Sequence, residues 1–176
     1  MQTDNYEIIK FNNLAHEWWN IDGEFKTLHH INPVRLKFIT DHIDLSDKKV
    51  IDIGCGGGIL TESIAKCGVC SITGIDLAPQ SIEVAKLHLY ESGLDIDYKC
   101  VDIEIIADEL PQCFDVVFCM EMLEHVNNPS VIIQQCSKLL KPGGYAFFST
   151  LNRTLKSYAL GVIAAEYILK LIPKGT

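Results

Sequence analysis

The chain has 176 residues, of which 48% are hydrophobic, and its formal net charge at pH 7 is −8. This length predicts one globular domain with a sizeable core, and the acidic balance excludes nucleic acid as a favoured partner because phosphates would be repelled. The N-terminus lacks the basic and apolar segments of a signal peptide. Of the seven cysteines, Cys55, Cys100, Cys119 and Cys136 fall inside predicted strands, turns or helices, which indicates buried thiols in a reducing, cytoplasmic setting.

We predict that the chain forms a single domain (1–176) and that residues 1–45 form a helical cap on it. Apolar side chains recur at helical spacing over residues 6–19. Residues 20–31 are polar and aromatic, and aromatic and histidine side chains cluster just ahead of this segment or within it: Trp18, Trp19, Phe25, His29 and His30. The cluster indicates either a flap over a pocket or an N-terminal segment packed on the core. Asn32-Pro33 is predicted to cap and start a helix. Arg35, in its first turn, is either solvated or a donor to a ligand carboxylate.

We predict that residues 46–152 form a cofactor-binding core organised around a glycine loop. An apolar run over residues 50–53 leads into Gly54-Cys55-Gly56-Gly57-Gly58 before helical spacing resumes, which is typical of a buried parallel strand turning into a helix. Glycines let a ligand approach the backbone closely. Asp76 ends the next apolar run, where a carboxylate can accept both hydroxyls of a ribose. A nucleoside site is therefore predicted at Gly54, Gly56 and Asp76.

The spacing of the loop separates two kinds of nucleoside cofactor. The dinucleotide fingerprint requires glycine at its first, third and sixth positions, and counting from Gly54 the sixth position is Ile59. A pyrophosphate needs that close packing, whereas S-adenosylmethionine carries no phosphate and lays its amino-acid end beside the loop. The pattern therefore favours S-adenosylmethionine and disfavours a nicotinamide dehydrogenase.

Helices and strands alternate through the rest of the core. Helices are predicted over residues 59–66, 79–90 and from 128 to the Gly143-Gly144 pair, and strands over 70–75, 96–101, 114–119 and 145–150. The alternation predicts an α/β, Rossmann-like fold whose mostly parallel sheet carries helices on both faces and binds ligands at the strands' carboxyl ends. Asp102 and Met120 lie at that edge. Asp102 either accepts from the adenine amino group or caps the following helix.

Two carboxylates and an imidazole follow the fourth strand. Glu121, Glu124 and His125 are spaced at i, i+3 and i+4, so they share one face if this turn is helical. Such a cluster can hold a divalent metal, or can keep the histidine basic enough to take a proton from an acceptor hydroxyl. The alternative is a polar helix start with a surface histidine. The three residues are the candidate catalytic groups and metal ligands.

Several segments of the chain resemble the ubiquinone-biosynthesis O-methyltransferases, the 3-demethylubiquinol 3-O-methyltransferase (2-polyprenyl-6-hydroxyphenol methylase) family. They are VIDIGCGGGIL, GID, CMEMLEHV, LKPGGYAFFSTLNR, AEYILKLIPKGT and EWWNIDGEFKTLHHINPVRL, and together they cover nearly the whole chain. The resemblance implies a seven-stranded class I S-adenosylmethionine-dependent methyltransferase fold. It also implies O-methylation of polyprenyl catechol or hydroquinol intermediates, 2-polyprenyl-6-hydroxyphenol and 3-demethylubiquinol, within a ubiquinone-biosynthesis complex.

The resemblance also carries residue roles. It places cofactor contacts at positions matching Arg35, Gly54, Asp76 and Met120. In the family's mitochondrial branch, the positions matching Glu121, Glu124 and His125 bind a divalent metal, for which Mg²⁺ is the first candidate. Family members usually continue for several dozen residues, so we expect the last strands of the sheet to be missing from this chain.

We predict that residues 153–176 form an amphipathic segment that contacts a membrane. Residues 157–172 present apolar side chains on one helical face, but this run is too short to span a bilayer, which needs about 20 apolar residues. Flanking basic side chains suit a position in the lipid interface, at the inner face of the membrane, near a prenylated substrate. The alternative is a helix packed against further C-terminal strands.

Three other functions compete with methylation of a polyprenyl catechol. A methyltransferase for another small molecule would share the same core motifs. A nucleic-acid adenine methyltransferase is disfavoured because the fourth strand ends in CMEM and not in an Asn/Asp-Pro-Pro-aromatic turn. A non-catalytic cofactor-binding or membrane scaffold subunit would keep its partners after substitution of the three candidate catalytic residues, whereas an enzyme would lose turnover.

Overall fold

The computed structural model of the chain describes residues 5–150, and these fold into two N-terminal helices followed by alternating strands and helices. The elements are α1 (Asn5–Leu14), a 3₁₀ turn (Ala15–Glu17), α2 (Lys26–His42), β1 (Lys49–Ile53), α3 (Ile59–Ala65), β2 (Ser71–Asp76), α4 (Pro79–Ser92), β3 (Asp97–Cys100), α5 (Ile103–Glu109), β4 (Phe114–Met120), a second 3₁₀ turn (Leu123–His125), α6 (Pro129–Leu139) and β5 (Leu140–Ser149).

The five strands form one parallel sheet in the order β3-β2-β1-β4-β5. β1 is central, pairing with β2 on one side and β4 on the other. Successive residues of a strand face opposite sides of the sheet, and both Val50 and Ile51 are fully buried in two different apolar clusters. Helices therefore cover both faces of the sheet, which confirms the predicted α/β fold.

The start of α2 differs from the prediction. The helix begins at Lys26, seven residues before Pro33, so Asn32-Pro33 lies inside it and does not cap it. The Asn32 side chain is instead buried and donates to Ser63 Oγ at 2.8 Å and to Ile59 O at 3.4 Å. A proline within a helix costs a backbone hydrogen bond, and here the packing of α2 against α3 offsets that cost.

The end of α6 also differs from the prediction. Asn128 caps the helix as expected, accepting from Ser130 N, but the helix ends at Leu139 and β5 starts at once with Leu140. The Gly143-Gly144 pair, interpreted as a helix stop, lies inside β5. The strand pairs with β4 across a shift of register between Phe114 and Val116, and this pairing overrides the local glycine signal.

The segment predicted to contact a membrane, residues 153–176, lies outside the described residues. Among residues 5–150, no helix has the length and apolar character needed to cross a bilayer.

Candidate cofactor and acceptor site

A cavity of about 530 Å³ opens at the carboxyl edge of the sheet, beneath the N-terminal helices. Its wall includes every predicted site residue: Arg35, Gly54, Gly56, Asp76, Asp102, Met120, Glu121, Glu124 and His125. Most of them follow the ends of β1, β2, β3 and β4, because parallel strands deliver their carboxyl termini to one edge, whereas Arg35 comes from α2. Apolar side chains from α1 and α2, among them Phe11, Leu14 and Leu28, line the opposite wall.

The glycine loop lies against the indole of Trp18. Gly56 has a φ of +52°, and a Cβ added there would stand 2.4 Å from two carbons of the Trp18 ring. No side chain fits in that space, so the loop requires glycine at this position. The start of the loop is fixed on β2, because the amides of Gly54 and Cys55 both donate to Ile75 O, at 2.8 and 3.0 Å.

Asp76 joins the end of β2 to the glycine loop. Its Oδ2 accepts from Gly56 N at 2.9 Å and its Oδ1 accepts from Ala78 N at 2.8 Å. Burial raises the pKa of the Asp76 carboxyl, while the hydrogen bonds from Ala78, Gly56 and Leu77 lower it. Each carboxylate oxygen has a second lone pair, so the group can still accept ribose hydroxyls. The carboxylate and the glycine loop beside it fit S-adenosylmethionine.

Asp102 caps α5, accepting from Glu104 N at 3.0 Å, which confirms the capping alternative. Asp102 also lines the cavity, together with the apolar side chains of Val101 and Ile103. Its interaction with an adenine amino group stays a prediction.

Arg35 and Glu121 form an ion pair across the cavity wall, with Arg35 Nη2 3.0 Å from Glu121 Oε1. The Arg35 side chain is 11% exposed, and its buried Nε has no hydrogen-bond partner among the described residues. Glu121 Oε1 also accepts from Ser149 Oγ at 2.7 Å. The Nη2 group of Arg35 is therefore engaged with Glu121, whereas its Nε–H is available to a ligand.

The predicted helical face of Glu121, Glu124 and His125 is wrong. Glu121 adopts a left-handed conformation with a φ of +54°, and a 3₁₀ turn begins only at Leu123. Because the left-handed backbone conformation of Glu121 interrupts any regular helix here, the i, i+3, i+4 spacing does not place the three side chains on one face.

Their side chains instead have separate partners. Glu124 Oε2 accepts from Thr150 Oγ1 at 2.9 Å. His125 Nδ1 lies 2.8 Å from Glu7 Oε2, and the Phe11 ring meets the His125 ring edge to face at 5.1 Å. Within residues 5–150, no group of three His, Cys, Asp or Glu side chains is placed to hold a metal ion. This arrangement does not fit the predicted metal site.

Four residues of the N-terminal segment contribute to the site, and two of them, Glu7 and Phe11, were not predicted there. Trp18 stacks on Phe25 with ring centroids 3.8 Å apart and donates from Nε1 to Ser81 Oγ, and Glu7 and Phe11 contact His125. The aromatic density of residues 18–25 was a usable signal for Trp18 and Phe25. Glu7 carries no local signal, because only the tertiary fold brings α1 to His125.

Comparisons with known proteins identify the relatives of this chain. Residues 51–148 match a family model described as a methyltransferase domain. A ubiquinone biosynthesis O-methyltransferase of Chromobacterium violaceum is 57% identical over 173 residues, covering 98% of this chain and 74% of the relative. The protein of the same name from Idiomarina loihiensis is 59% identical over 174 residues, covering 98% of this chain and 71% of the relative.

Solved structures show the same fold. A putative S-adenosyl-L-methionine-dependent methyltransferase of Methanococcus maripaludis matches with a TM-score of 0.71 at 20% identity, covering 97% of this chain and 74% of the other. A putative S-adenosylmethionine-dependent methyltransferase of Listeria monocytogenes matches with a TM-score of 0.59 at 26% identity, covering 70% and 54%.

Proposed function

Because this chain belongs to the ubiquinone biosynthesis O-methyltransferases, which use S-adenosylmethionine, we propose that its acceptor is a phenolic hydroxyl of a polyprenyl catechol or hydroquinol. The observation that carries the proposal is that one cavity contains both the Asp76-linked glycine loop and His125. A cofactor and an acceptor bound in that cavity would lie side by side, as an in-line displacement requires.

The cofactor half of the cavity is the part around the glycine loop. In the proposed placement Asp76 accepts the ribose hydroxyls, Asp102 lies at the adenine with Val101 and Ile103 beside it, and Arg35 reaches the amino-acid carboxylate through its free Nε. Gly54, Gly56 and Met120 complete this wall. When bound, S-adenosylmethionine supplies an electrophilic methyl group on its sulfonium.

The acceptor half is formed by the aromatic wall and by the residues that follow β4. Phe11, Leu14 and Leu28 offer apolar surface for a substituted ring and the start of its prenyl chain. A phenol has a pKa near 10, so its hydroxyl needs a proton acceptor at neutral pH. His125 is the proposed acceptor of that proton, and Glu7 stabilises the imidazolium that forms. Glu121 and Glu124 border the same space. No step is assigned to a metal, because the described arrangement does not fit one.

A methyl-transfer assay tests this proposal. The labelled methyl of S-adenosylmethionine is followed into a prenylated catechol and into the same catechol without the chain. We expect the prenylated acceptor to be preferred and His125→Asn to lower kcat by about 10²–10⁴. The matched control is His42→Asn, on an exposed turn of α2, which should retain full turnover. Equal use of both acceptors would support another small-molecule substrate, and full activity of the His125 variant would contradict its role as the base.

We further propose that residues 157–172 hold the enzyme at the membrane interface that contains the prenylated substrate. The support is the sequence pattern of apolar side chains flanked by basic ones. Sedimentation with anionic phospholipid vesicles should co-pellet the chain. Replacing two apolar residues of the pattern, Ile163 and Leu171, with aspartate should release it, whereas Thr154→Asp, outside the pattern, should not. Failure of the unmutated chain to co-pellet would contradict this interpretation.

A further inference from the structure

Three side chains outside the cavity, those of Trp19, His88 and Glu62, contact one another in series, and the first and last of these residues are hydrogen-bonded to the glycine loop. Trp19 Nε1 donates to Gly57 O at 2.9 Å, and the Trp19 ring stacks on the His88 ring with centroids 3.4 Å apart and planes 3° apart. His88 Nδ1 lies 2.6 Å from Glu62 Oε1. Glu62 N in turn donates to Gly58 O at 2.9 Å.

Glu62 is the unusual member of this set. Its side chain is 1% exposed, and its Oε2 has no hydrogen-bond partner among residues 5–150. Burying a carboxylate with half of its hydrogen-bonding capacity unused costs free energy that an apolar side chain would not. A stability role alone does not account for a carboxylate here, whereas a positioning role does, because the carboxylate orients His88 against the Trp19 ring.

The three side chains come from three different segments. Trp19 belongs to the N-terminal segment that covers the cavity, His88 to α4 and Glu62 to α3. The hydrogen bond to Gly57 O therefore fastens the covering segment to the loop, one residue from Gly56, whose amide donates to Asp76. None of the three lines the cavity, so they act on a ligand only through the loop.

We propose that Trp19, His88 and Glu62 form a latch of positioning residues that holds the glycine loop and the covering segment in the cofactor-binding arrangement. The inference rests on the proposed cofactor placement against this loop. Opening the latch weakens cofactor binding, while the methyl-transfer step at saturating cofactor is unchanged. The latch residues should therefore alter KM for S-adenosylmethionine and leave kcat largely intact.

Calorimetric titration with S-adenosylhomocysteine on the full chain tests the latch. Trp19→Phe keeps a ring to stack on His88 and removes the N–H donor, so we expect Kd to rise about fivefold, the effect of one lost hydrogen bond. Glu62→Leu should raise Kd at least as much while leaving the chain as stable or more stable, because it removes a buried charge. Glu62→Gln keeps an acceptor for His88, so its Kd should lie within about twofold of that of the unmutated chain.

Two controls separate the latch from the proposed site. Tyr90→Phe, on the same helix as His88 and 90% exposed, should bind with unchanged affinity, and Asp76→Ala should weaken binding about 100-fold or more. Unmutated affinity in both Trp19→Phe and Glu62→Leu, in a protein whose Asp76→Ala variant binds this weakly, would overturn the latch alone. Unchanged affinity of Asp76→Ala would overturn the cofactor placement on which the latch rests.

Discussion

Asp52, buried in the middle of β1, should make the stability of the protein depend on pH. Its side chain accepts from Thr61 Oγ1 at 2.7 Å and is 2% exposed. Burial raises the pKa of Asp52 to about 6, and the nearby Asp76 charge adds to this, while the Thr61 hydrogen bond and Arg35 oppose it. The ordinary value is 3.8, so the folded chain binds this proton more tightly than the unfolded chain.

The sign and size of the effect follow from linkage between protonation and folding. Below about pH 4 Asp52 is protonated in both states, and its favourable contribution is fully present. Between about pH 4 and about pH 6 only the folded state keeps this proton, so the free energy of unfolding falls across that range and levels off above it. A pKa difference of about two corresponds to about 3 kcal/mol, a large share of the roughly 5–15 kcal/mol that stabilises a typical domain.

Urea unfolding of the unmutated chain and of Asp52→Asn, followed at pH 4 and at pH 7, measures this contribution. Asparagine keeps the shape and an acceptor for Thr61 but cannot ionise. We expect the variant to gain roughly 2–3 kcal/mol relative to the unmutated chain between the two pH values, because the unfolded Asp52 is already partly ionised at pH 4. Titrating groups that do not interact with Asp52 are present in both proteins and cancel. A stability difference that does not change with pH would refute the reasoning.

Two further predictions concern the loop and the cap of α5. Gly93→Ala places a Cβ in open space at a φ of +65° and should cost about 1 kcal/mol of stability. Gly56→Ala also has a positive φ, and its Cβ would in addition meet the Trp18 ring at 2.4 Å, so it should cost roughly 1–3 kcal/mol more and abolish S-adenosylhomocysteine binding. Equal costs of the two substitutions in urea unfolding would contradict the contact with Trp18. Asp102→Ala removes the cap on Glu104 N and should cost about 1 kcal/mol, while Asp102→Asn retains it. A lower cofactor affinity in Asp102→Asn, at unchanged melting temperature, would separate the adenine role from the cap, and equal stability of the two variants would argue against the cap.

The sequence predicted the sheet and the wall of the cavity because both depend on strong local signals. Apolar runs that end at Gly54, Asp76 and Met120 mark parallel strands, and the topology of such a sheet brings their ends together. The helix start at Asn32-Pro33 was wrong because packing of Asn32 against α3 outweighs the preference of proline for a first turn.

The geometry after β4 was less predictable. The i, i+3, i+4 spacing assumes a regular helix, and the left-handed backbone at Glu121 breaks it. The partners Glu7 and Ser149 come from α1 and β5, far away in the chain, and no pattern of spacing reports such contacts. The same holds for the stacking of Trp19 on His88, which joins residues 69 positions apart only through the packing of the covering segment.

The most direct test of the cofactor site is calorimetric titration of the chain with S-adenosylhomocysteine, repeated with Asp76→Ala and with Asp97→Ala. Asp97 lies on the neighbouring strand, paired with Lys99 and half-exposed, so its loss should not affect the site. We predict micromolar binding that Asp97→Ala retains and that Asp76→Ala weakens about 100-fold or more, the effect of two hydrogen bonds to a carboxylate. Unchanged binding by Asp76→Ala would contradict the proposed site.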